Sequence, residues 1–259
     1  MTGRQLPATG PTTERPWRIE GPAEGPPIVF VHGALMSHSV WRPQLDALSG
    51  RFRCLAVDLP GHGVLVEERF TLDRGVATVR AAIDQAGGRA VVVGLSLGGY
   101  VAMALAGRHA DAVRGLVIAG CTREPDRLSR AVFVAYALAL RVVPQGPLRV
   151  IVDRLLRRHY GPTLAAAITS GGYHPRGGGF GVRAIVGGRF RERLLRYGGP
   201  ILAINGTHDL VFHVGARRFL AGVPDVSWVA LRGANHLSNV DRPAEFSAAI
   251  EAFIGRLPE

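Results

Sequence analysis

The sequence predicts an α/β fold, in which a mostly parallel β-sheet is flanked by helices and carries an all-helical cap. Two observations support this prediction. Short apolar runs rich in β-branched residues alternate with stretches of helical period along most of the 259 residues, as in parallel sheets with crossover helices. The alternation stops between about residues 122 and 199, where no run has convincing strand character.

The strands are predicted from apolar runs that turn residues bound on both sides. In chain order these runs are Ile28–Val31, Cys54–Val57, Ala90–Val93, Leu116–Ala119, Ile201–Ile204 and Val226–Leu231. Helical periodicity fills most of the intervals, in Val40–Leu48, Leu72–Ala86, Leu97–His109, Val214–Leu220 and Ala244–Leu257. We therefore expect residues 17–121 and 200–259 to form one α/β core.

The segment 122–199 is predicted to be helical throughout. Its periodic stretches are Asp126–Val142, Leu148–His159, Pro162–Ser170 and Gly181–Tyr197. Because the strand pattern resumes at Pro200, we expect this segment to form a cap over the sheet edge from which the strands emerge. Eight of the 18 residues from 171 to 188 are glycine, which predicts a hinge or mobile loop within the cap.

Composition and charge favour a packed globular protein, with 47% hydrophobic and 20% charged residues. All 31 basic residues are arginine, and together with the abundant Gly, Pro and Ala this indicates a GC-rich coding bias. Residues 122–199 hold 14 arginines against four acidic residues, so most of the net charge of +11 belongs to the cap. No nucleic-acid-binding motif accompanies these arginines, and we expect no nucleic-acid partner.

Residues 1–16 are rich in Pro, Thr and Gly and are predicted to form a flexible tail. They contain no apolar stretch of the secretory type, and the longest apolar run, Ala131–Leu140, is too short to span a bilayer. We expect a cytoplasmic protein without a membrane partner. Cys54 and Cys121 end apolar runs and are predicted to be buried free thiols rather than a disulfide or metal ligands.

The strongest motif is Gly94-Leu95-Ser96-Leu97-Gly98, which follows a predicted strand and opens a predicted helix. This is the context that a G-x-S-x-G nucleophile elbow requires. Glycines on both sides of the serine are expected because a Cβ there would collide with a neighbouring strand or helix. The turn would expose the Ser96 hydroxyl above a helix N-terminus, which favours developing negative charge.

A serine nucleophile needs a histidine base and a group that orients this base. His236 follows the last predicted strand and precedes the final helix, so it would lie on a loop at the same sheet edge. Asp209 follows the strand Ile201–Ile204 and precedes His236 by 27 residues, which is the expected order of nucleophile, acid and base. Asp225, which precedes a strand, and Glu124 are weaker candidates for the acid.

Acyl transfer also needs hydrogen-bond donors for the oxyanion. The turn after the strand Ile28–Val31 is predicted to present the backbone N–H of Ala34, with Leu35 as a close alternative. The backbone N–H of Leu97, directly after the elbow serine, is the second predicted donor. His32 is expected to be structural in this turn.

These motifs resemble the α/β-hydrolase fold superfamily, in particular its serine esterases, enol-lactonases and proline-iminopeptidase-like members. The matching segments are His32-Gly33, Asp58-Leu59-Pro60-Gly61-His62-Gly63, the elbow around Ser96, Gly206-Thr207-His208-Asp209 and Gly233-Ala234-Asn235-His236. The resemblance implies an eight-stranded sheet with the cap after the sixth strand. The chain departs from the pattern at its first two strands, of which only Trp17–Glu20 is a plausible remnant.

A serine at the elbow disfavours relatives that use aspartate there, such as haloalkane dehalogenases and epoxide hydrolases. We expect hydrolysis of a carboxylic ester or lactone of a small, largely apolar substrate, with no cofactor and no metal. A thioesterase, a carbon–carbon bond hydrolase or lyase, and a non-catalytic ligand-binding member remain the alternatives, because fold by itself does not select a reaction.

Substrate contacts are predicted at two places. We call residues 32–35, which are predicted to present the oxyanion donor, the oxyanion turn; Leu35 ends this turn and His38 follows it. Phe133 and Tyr136 lie in the apolar run of the first cap helix. That helix would either line a pocket or be wholly buried, since it is apolar on every side. The cap arginines would face water, or would bind an anionic group such as a carrier-protein or coenzyme A thioester.

Overall fold

The computed structural model describes residues 15–124 and 127–258, with side chains in the first cap helix described from residue 130 onward. The tail predicted for residues 1–16 lies outside this range except for its last two residues. Pro16 is tied to the core, because its carbonyl accepts a hydrogen bond of 2.8 Å from the Asp58 N–H.

Seven strands form one sheet in the order β1-β3-β2-β4-β5-β6-β7. They are β1 (Trp17–Glu20), β2 (Pro27–Val31), β3 (Arg53–Val57), β4 (Ala90–Leu95), β5 (Val113–Ala119), β6 (Ile201–Gly206) and β7 (Val226–Leu231). Only β1 pairs antiparallel, with β3, while every other neighbouring pair is parallel. The predicted α/β class and all six predicted strands are confirmed.

The strand count differs from the expectation that the resemblance raised. The described residues contain seven strands rather than eight, so the helical insertion follows β5, the fifth strand of the described chain. The predicted remnant Trp17–Glu20 is a strand, β1, which forms one edge of the sheet and pairs with β3.

Twelve α-helices are described in the same residues. They are α1 (Arg42–Leu48), α2 (Leu72–Gln85), α3 (Leu97–Ala106), α4 (Arg127–Val142), α5 (Gln145–Tyr160), α6 (Pro162–Thr169), α7 (Pro175–Ile185), α8 (Phe190–Tyr197), α9 (Leu210–His213), α10 (Ala216–Leu220), α11 (Ser238–Asp241) and α12 (Pro243–Ile254). Helices α4 to α8 fill the interval between β5 and β6, and we keep the name cap for residues 122–199.

Both faces of the sheet are covered by apolar side chains, because successive residues of a strand point to opposite sides. In β2, Val29 and Val31 pack on the side of α2 and α3, whereas Ile28 and Phe30 pack on the side of α1 and α12. Every residue of α3 is buried. The central helix is thus held rigidly beneath the point where β4 ends.

The glycine-rich part of the cap corrects the sequence prediction. The expected hinge at residues 171–188 is largely the ordered helix α7, and the single helix predicted for Gly181–Tyr197 is two helices, α7 and α8. Gly187, with φ 84°, lies in the break between them. The α7 glycines allow close backbone contact with neighbouring elements, which stabilises a helix that local propensity disfavours.

The helices of residues 15–124 and 127–258 are short or interrupted relative to a membrane span. No single helix there is long and apolar enough to cross a membrane. The pair Arg130–Val142 and Gln145–Tyr160 meets the criteria of length and composition only when taken together, across a bend of 108°.

Candidate active site

Ser96 sits at the sharp turn between β4 and α3, where the strand-to-helix pattern predicted it. Its backbone has φ 52° and ψ −115°, a conformation that residues with a side chain rarely adopt. The Ser96 N–H donates to the Ala119 carbonyl of β5 at 2.8 Å, which ties the turn to the neighbouring strand.

Close packing around the elbow explains its glycines. A Cβ on Gly94 would lie 2.5 Å from the Gly98 carbonyl oxygen, and a Cβ on Gly98 would overlap the Val31 carbonyl oxygen of β2. Gly99 is equally restricted, because a Cβ there would overlap the sulfur of Cys121. Cys54 and Cys121 are both free and buried, as predicted.

Asp209 and His236 lie in direct contact although 27 residues separate them. The Nδ1 atom of His236 is 2.7 Å from Oδ2 of Asp209. The carboxylate is buried, whereas the imidazole side chain is 41% exposed. The His236 ring also stacks on Phe212, with ring centroids 5.3 Å apart. The histidine is therefore oriented from two sides while part of its ring stays accessible.

Backbone contacts join the loops that carry these two residues. Thr207 accepts a hydrogen bond of 2.9 Å from the Gly233 N–H through its hydroxyl oxygen, and the His208 N–H donates to the Ala234 carbonyl at 2.9 Å. A Cβ on Gly206 would overlap the carbonyl oxygens of Ala234 and Asn235. The acid and base are thus positioned by the ends of β6 and β7, which are adjacent in the sheet.

The other two candidate acids lie in different surroundings. Glu124 accepts a hydrogen bond of 2.6 Å from the Arg191 N–H at the start of α8. Asp225 directly precedes β7, and its carbonyl accepts from the Ile201 N–H at 2.8 Å, at the opposite end of the strands from His236. In the described part of the chain, the carboxylate hydrogen-bonded to the His236 imidazole is that of Asp209.

Ala34 follows β2, Leu97 is the first residue of α3, and both line the same cavity as Ser96. Within the described residues, neither N–H donates to a protein acceptor. The turn at residue 34 is held from behind, because the carbonyl oxygen of Gly33 is 2.8 Å from His32 Nδ1 and that of Ala34 is 2.8 Å from His62 Nε2.

A cavity of about 450 Å³ opens above the serine and is lined mainly by apolar side chains. Ser96 and His236 both contribute to its wall. The remaining lining residues are Gly33, Ala34, Leu35, Met36, Leu95, Leu97, Tyr100, Val132, Phe133, Tyr136, Val152, Leu156, Tyr173, Val182, Ile185, Val211, Phe212 and Leu237. The cavity thus lies between the ends of the strands and the helices of the cap.

Three of the four predicted substrate contacts, Leu35, Phe133 and Tyr136, line this cavity. The first cap helix is not wholly buried, because Val132 is 69% exposed. His38 is not among the residues that line this cavity, and its predicted substrate contact stays a prediction. Its ring turns toward the loop after β3, where Nδ1 lies 2.9 Å from Oδ1 of the buried Asp58.

Asp58 belongs to a buried polar cluster with His32 and His62, next to the turn that carries Gly33 and Ala34. Burial acts to raise the pKa of Asp58, but hydrogen bonds from His38 and the nearby imidazole of His32 outweigh it and lower the pKa to about 2. Burial lowers the pKa of His32 to about 3, with a further contribution from His62. His32 is therefore neutral, which agrees with its contacts: Nδ1 faces the Gly33 carbonyl and Nε2 accepts from the Leu59 N–H at 3.0 Å.

A second cavity of about 330 Å³ adjoins the first beneath α5. The two share the lining residues Val152, Leu156 and Tyr173. Arg149 and Asp153 line only the second cavity. The second cavity therefore carries charged groups that the first cavity does not.

Several residues of this site carry little or no signal in the sequence. Phe212 stacks on His236, and an aromatic residue three positions after the acid is the only sequence feature that hints at it. Gly120 lies beneath the pair, since a Cβ on it would be 3.1 Å from His236 Nδ1. Tyr173 and His174 come from the glycine-rich segment, where no periodic pattern indicated a contact with the site.

The comparison with protein families agrees with this architecture. The pattern of the alpha/beta hydrolase family matches residues 28–249. The chain belongs to the alpha/beta hydrolase family. The match begins at β2 and continues into α12, so this hydrolase carries the family pattern on both sides of its cap.

Individual relatives of this hydrolase fall into two groups by coverage. A pimeloyl-[acyl-carrier protein] methyl ester esterase of Vibrio cholerae is 40% identical over 101 residues, which are 39% of this chain and 38% of that protein. The corresponding esterase of Xanthomonas campestris is 28% identical over 249 residues, 90% of this chain and 97% of that protein. The stronger identity is thus confined to about two fifths of the relatives' length.

Solved structures extend the similarity to the whole fold of the hydrolase. The enol-lactonase from Burkholderia xenovorans matches with a TM-score of 0.77 and 29% identity, over 93% of this chain and 96% of that chain. This similarity includes the cap as well as the sheet.

Proposed function

We propose that this chain is a serine hydrolase that cleaves a carboxylic ester or lactone bond of a small, largely apolar substrate. One observation carries the proposal: the imidazole of His236, 2.7 Å from Asp209, lies at the same apolar cavity as the strained Ser96. A histidine oriented by a buried carboxylate at the same cavity as a serine is the arrangement that activates a serine for acyl transfer.

The proposed reaction proceeds through an acyl-enzyme. The Ser96 hydroxyl oxygen attacks the substrate carbonyl while His236 accepts its proton through Nε2, and Asp209 stabilises the resulting imidazolium. The amides of Ala34 and Leu97 stabilise the tetrahedral oxyanion. His236 then protonates the leaving alkoxide, and a water molecule activated by the same imidazole hydrolyses the acyl group from Ser96.

The cavity wall supports an apolar acyl group. Its lining is dominated by aliphatic and aromatic side chains from the core and the cap. We propose that the cap, residues 122–199, is a separate domain over the site. Two relatives named for ester hydrolysis and a structural neighbour named enol-lactonase favour the same bond types.

Replacement of Ser96 by alanine tests the proposal. We expect Ser96→Ala to abolish turnover of p-nitrophenyl butyrate and to prevent covalent labelling by an alkyl phosphonate, because the attacking oxygen is lost. Ser227→Ala, at an exposed position of β7, serves as the matched control and should retain both activities. Turnover or labelling that persists in Ser96→Ala would contradict the serine mechanism.

A second candidate is hydrolysis of an acyl group attached to a carrier, either as its thioester or as an ester at the far end of the chain. The favouring observation is Arg149 at the second cavity, where it could face an anionic carrier such as a phosphopantetheine group. Both relatives are also named for a substrate that is attached to an acyl-carrier protein. Comparison of kcat/KM for an acyl coenzyme A and the p-nitrophenyl ester of the same acid distinguishes the two candidates.

A further inference from the structure

The cap helix α7 lies directly on the turn that carries the Ala34 amide. The N–H of His174, the residue before α7, donates to the Leu35 carbonyl at 2.8 Å. A Cβ on Gly178 would overlap the Ala34 carbonyl oxygen. The cap therefore touches the oxyanion turn by backbone-to-backbone contact, which only glycine at residue 178 permits.

The side chain of His174 reaches the same turn by a second route. Its Nε2 atom lies 3.0 Å from the Gly63 nitrogen and 3.0 Å from the Gly171 carbonyl oxygen, and in the tautomer with the proton on Nδ1 it accepts a hydrogen bond from the Gly63 N–H. The His174 ring meets the His62 ring edge-on at 5.8 Å. His62 in turn places Nε2 2.8 Å from the Ala34 carbonyl oxygen. The imidazole of His174 thus holds the loop from which His62 contacts the oxyanion turn.

These contacts bear on the direction of the candidate oxyanion donors. A trans peptide is planar, so a group that holds its carbonyl oxygen also sets the direction of the N–H on the opposite side. The His32 contact with the Gly33 carbonyl oxygen fixes the direction of the Ala34 N–H in this way. The His62 contact with the Ala34 carbonyl oxygen fixes the direction of the Leu35 N–H and of the backbone that leaves the turn.

We propose that the cap, through His174 and Gly178, fixes the peptide between Ala34 and Leu35 and thereby the exit of the oxyanion turn that presents the Ala34 N–H. His174 is then a positioning residue for acyl transfer. This inference rests on the proposed function. It assigns to the cap a part in the geometry of the reaction, in addition to forming the wall of the substrate cavity. His174 itself does not line that cavity and acts through Gly63 and His62.

The test compares four variants on p-nitrophenyl acetate, whose short acyl group leaves most of the cavity empty. In His174→Ala and Gly178→Ala we expect kcat to fall at least about tenfold, because a small misplacement of a catalytic group is costly. KM should stay within about twofold, since ground-state binding is unaffected. His174→Gln should recover most of the loss, as its amide can accept from the Gly63 N–H.

Gly179→Ala is the matched control for Gly178→Ala. Both substitutions add one methyl group to α7 and raise its helix propensity equally. A Cβ on Gly179 would instead meet the Ala137 carbonyl oxygen of α4 at 2.6 Å, inside the cap. We expect Gly179→Ala to lower thermal stability but to keep kcat within about threefold of the wild type, a range in which oxyanion contacts are intact.

Hydrogen exchange of the peptide covering residues 30–40 measures the turn independently of activity. We expect faster exchange in His174→Ala and Gly178→Ala than in Gly179→Ala. Unchanged kcat and exchange in His174→Ala, or equal losses in the Gly178 and Gly179 variants, would overturn the inference. Failure of the proposed function is distinct, because it would show as ester turnover that survives Ser96→Ala.

Discussion

At the scale of single residues, Ser96, Asp209 and His236 were predictable because each follows a strand of the parallel sheet. The carboxyl ends of parallel strands meet at one edge, so residues that directly follow them converge whatever their separation along the chain. The contact of His38 with Asp58 was not predictable, because His38 lies beyond the turn, where the partner of a side chain depends on the next loop. Phe212 and Gly120 were missed, since their contacts with His236 follow no sequence period.

The role of the acid gives the residue-scale prediction. Asp209→Asn should lower kcat on the order of 10²- to 10⁴-fold, because an amide can hold the wrong imidazole tautomer and does not stabilise the imidazolium. Steady-state kinetics with p-nitrophenyl butyrate measures the effect. Asp225→Asn is the control, since Asp225 has φ 44° and asparagine tolerates this conformation. A larger loss in Asp225→Asn would reverse the assignment of the acid.

At the scale of elements, the loops after β2 and β3 are joined by a buried polar cluster. The rings of His32 and His62 lie 4.8 Å apart, and Asp58 accepts hydrogen bonds from His38 and from the Val64 N–H. The motifs His32-Gly33 and Asp58 to Gly63 were visible in the sequence, but not their mutual contact. Two of these histidines also contact the turn after β2, because His32 Nδ1 lies 2.8 Å from the Gly33 carbonyl oxygen and His62 Nε2 lies 2.8 Å from the Ala34 carbonyl oxygen.

The neutral state of His32 predicts a pH dependence of stability. In the unfolded chain its pKa is near the ordinary value of about 6.5, whereas burial lowers it to about 3 in the folded protein. Between these values the unfolded chain binds a proton that the folded protein does not. The free energy of unfolding should therefore fall as the pH is lowered from about 6.5 toward 3.

The variant His32→Asn removes this titration but keeps a donor for the Gly33 carbonyl. Urea unfolding at several pH values should show the slope of unfolding free energy against pH reduced by about 1.4 kcal/mol per pH unit in this variant, the effect of one proton. His208→Asn, at an exposed histidine, should leave the slope unchanged. An equal slope in wild type and His32→Asn would show that the buried ring titrates normally.

At the scale of the whole molecule, the cap and the core together enclose the substrate cavity. Helices α4, α5 and α7 contribute its upper wall, while the strand ends contribute Ser96 and His236 below. Neither part forms the cavity without the other, so under the proposed function a preference for acyl-chain length would depend on both. Each methylene buried there should favour the transition state by about 0.8 kcal/mol, or about fourfold in kcat/KM.

Val152 on α5 provides the whole-molecule prediction, because it lies where the two cavities meet. Val152→Phe should leave kcat/KM for p-nitrophenyl acetate within about twofold while it lowers the value for the decanoate ester at least about tenfold, the cost of displacing two or more buried methylenes. Kinetics over esters of graded chain length measures the shift. Ile151→Phe, at a residue that is 56% exposed and lines neither cavity, is the control. A uniform loss across all chain lengths would point to disturbed folding of the cap.

The sequence by itself determined the order of strands and helices, the helical nature of the insertion and the elbow around Ser96. These features are local: hydrophobic periodicity and glycine requirements depend on neighbours within a few residues. Only the tertiary structure decided that most of the glycine-rich segment is a helix, that His38 faces Asp58, and that His174 contacts Gly63 and Leu35. These outcomes depend on close contacts between segments remote in the chain, and no sequence period records such contacts.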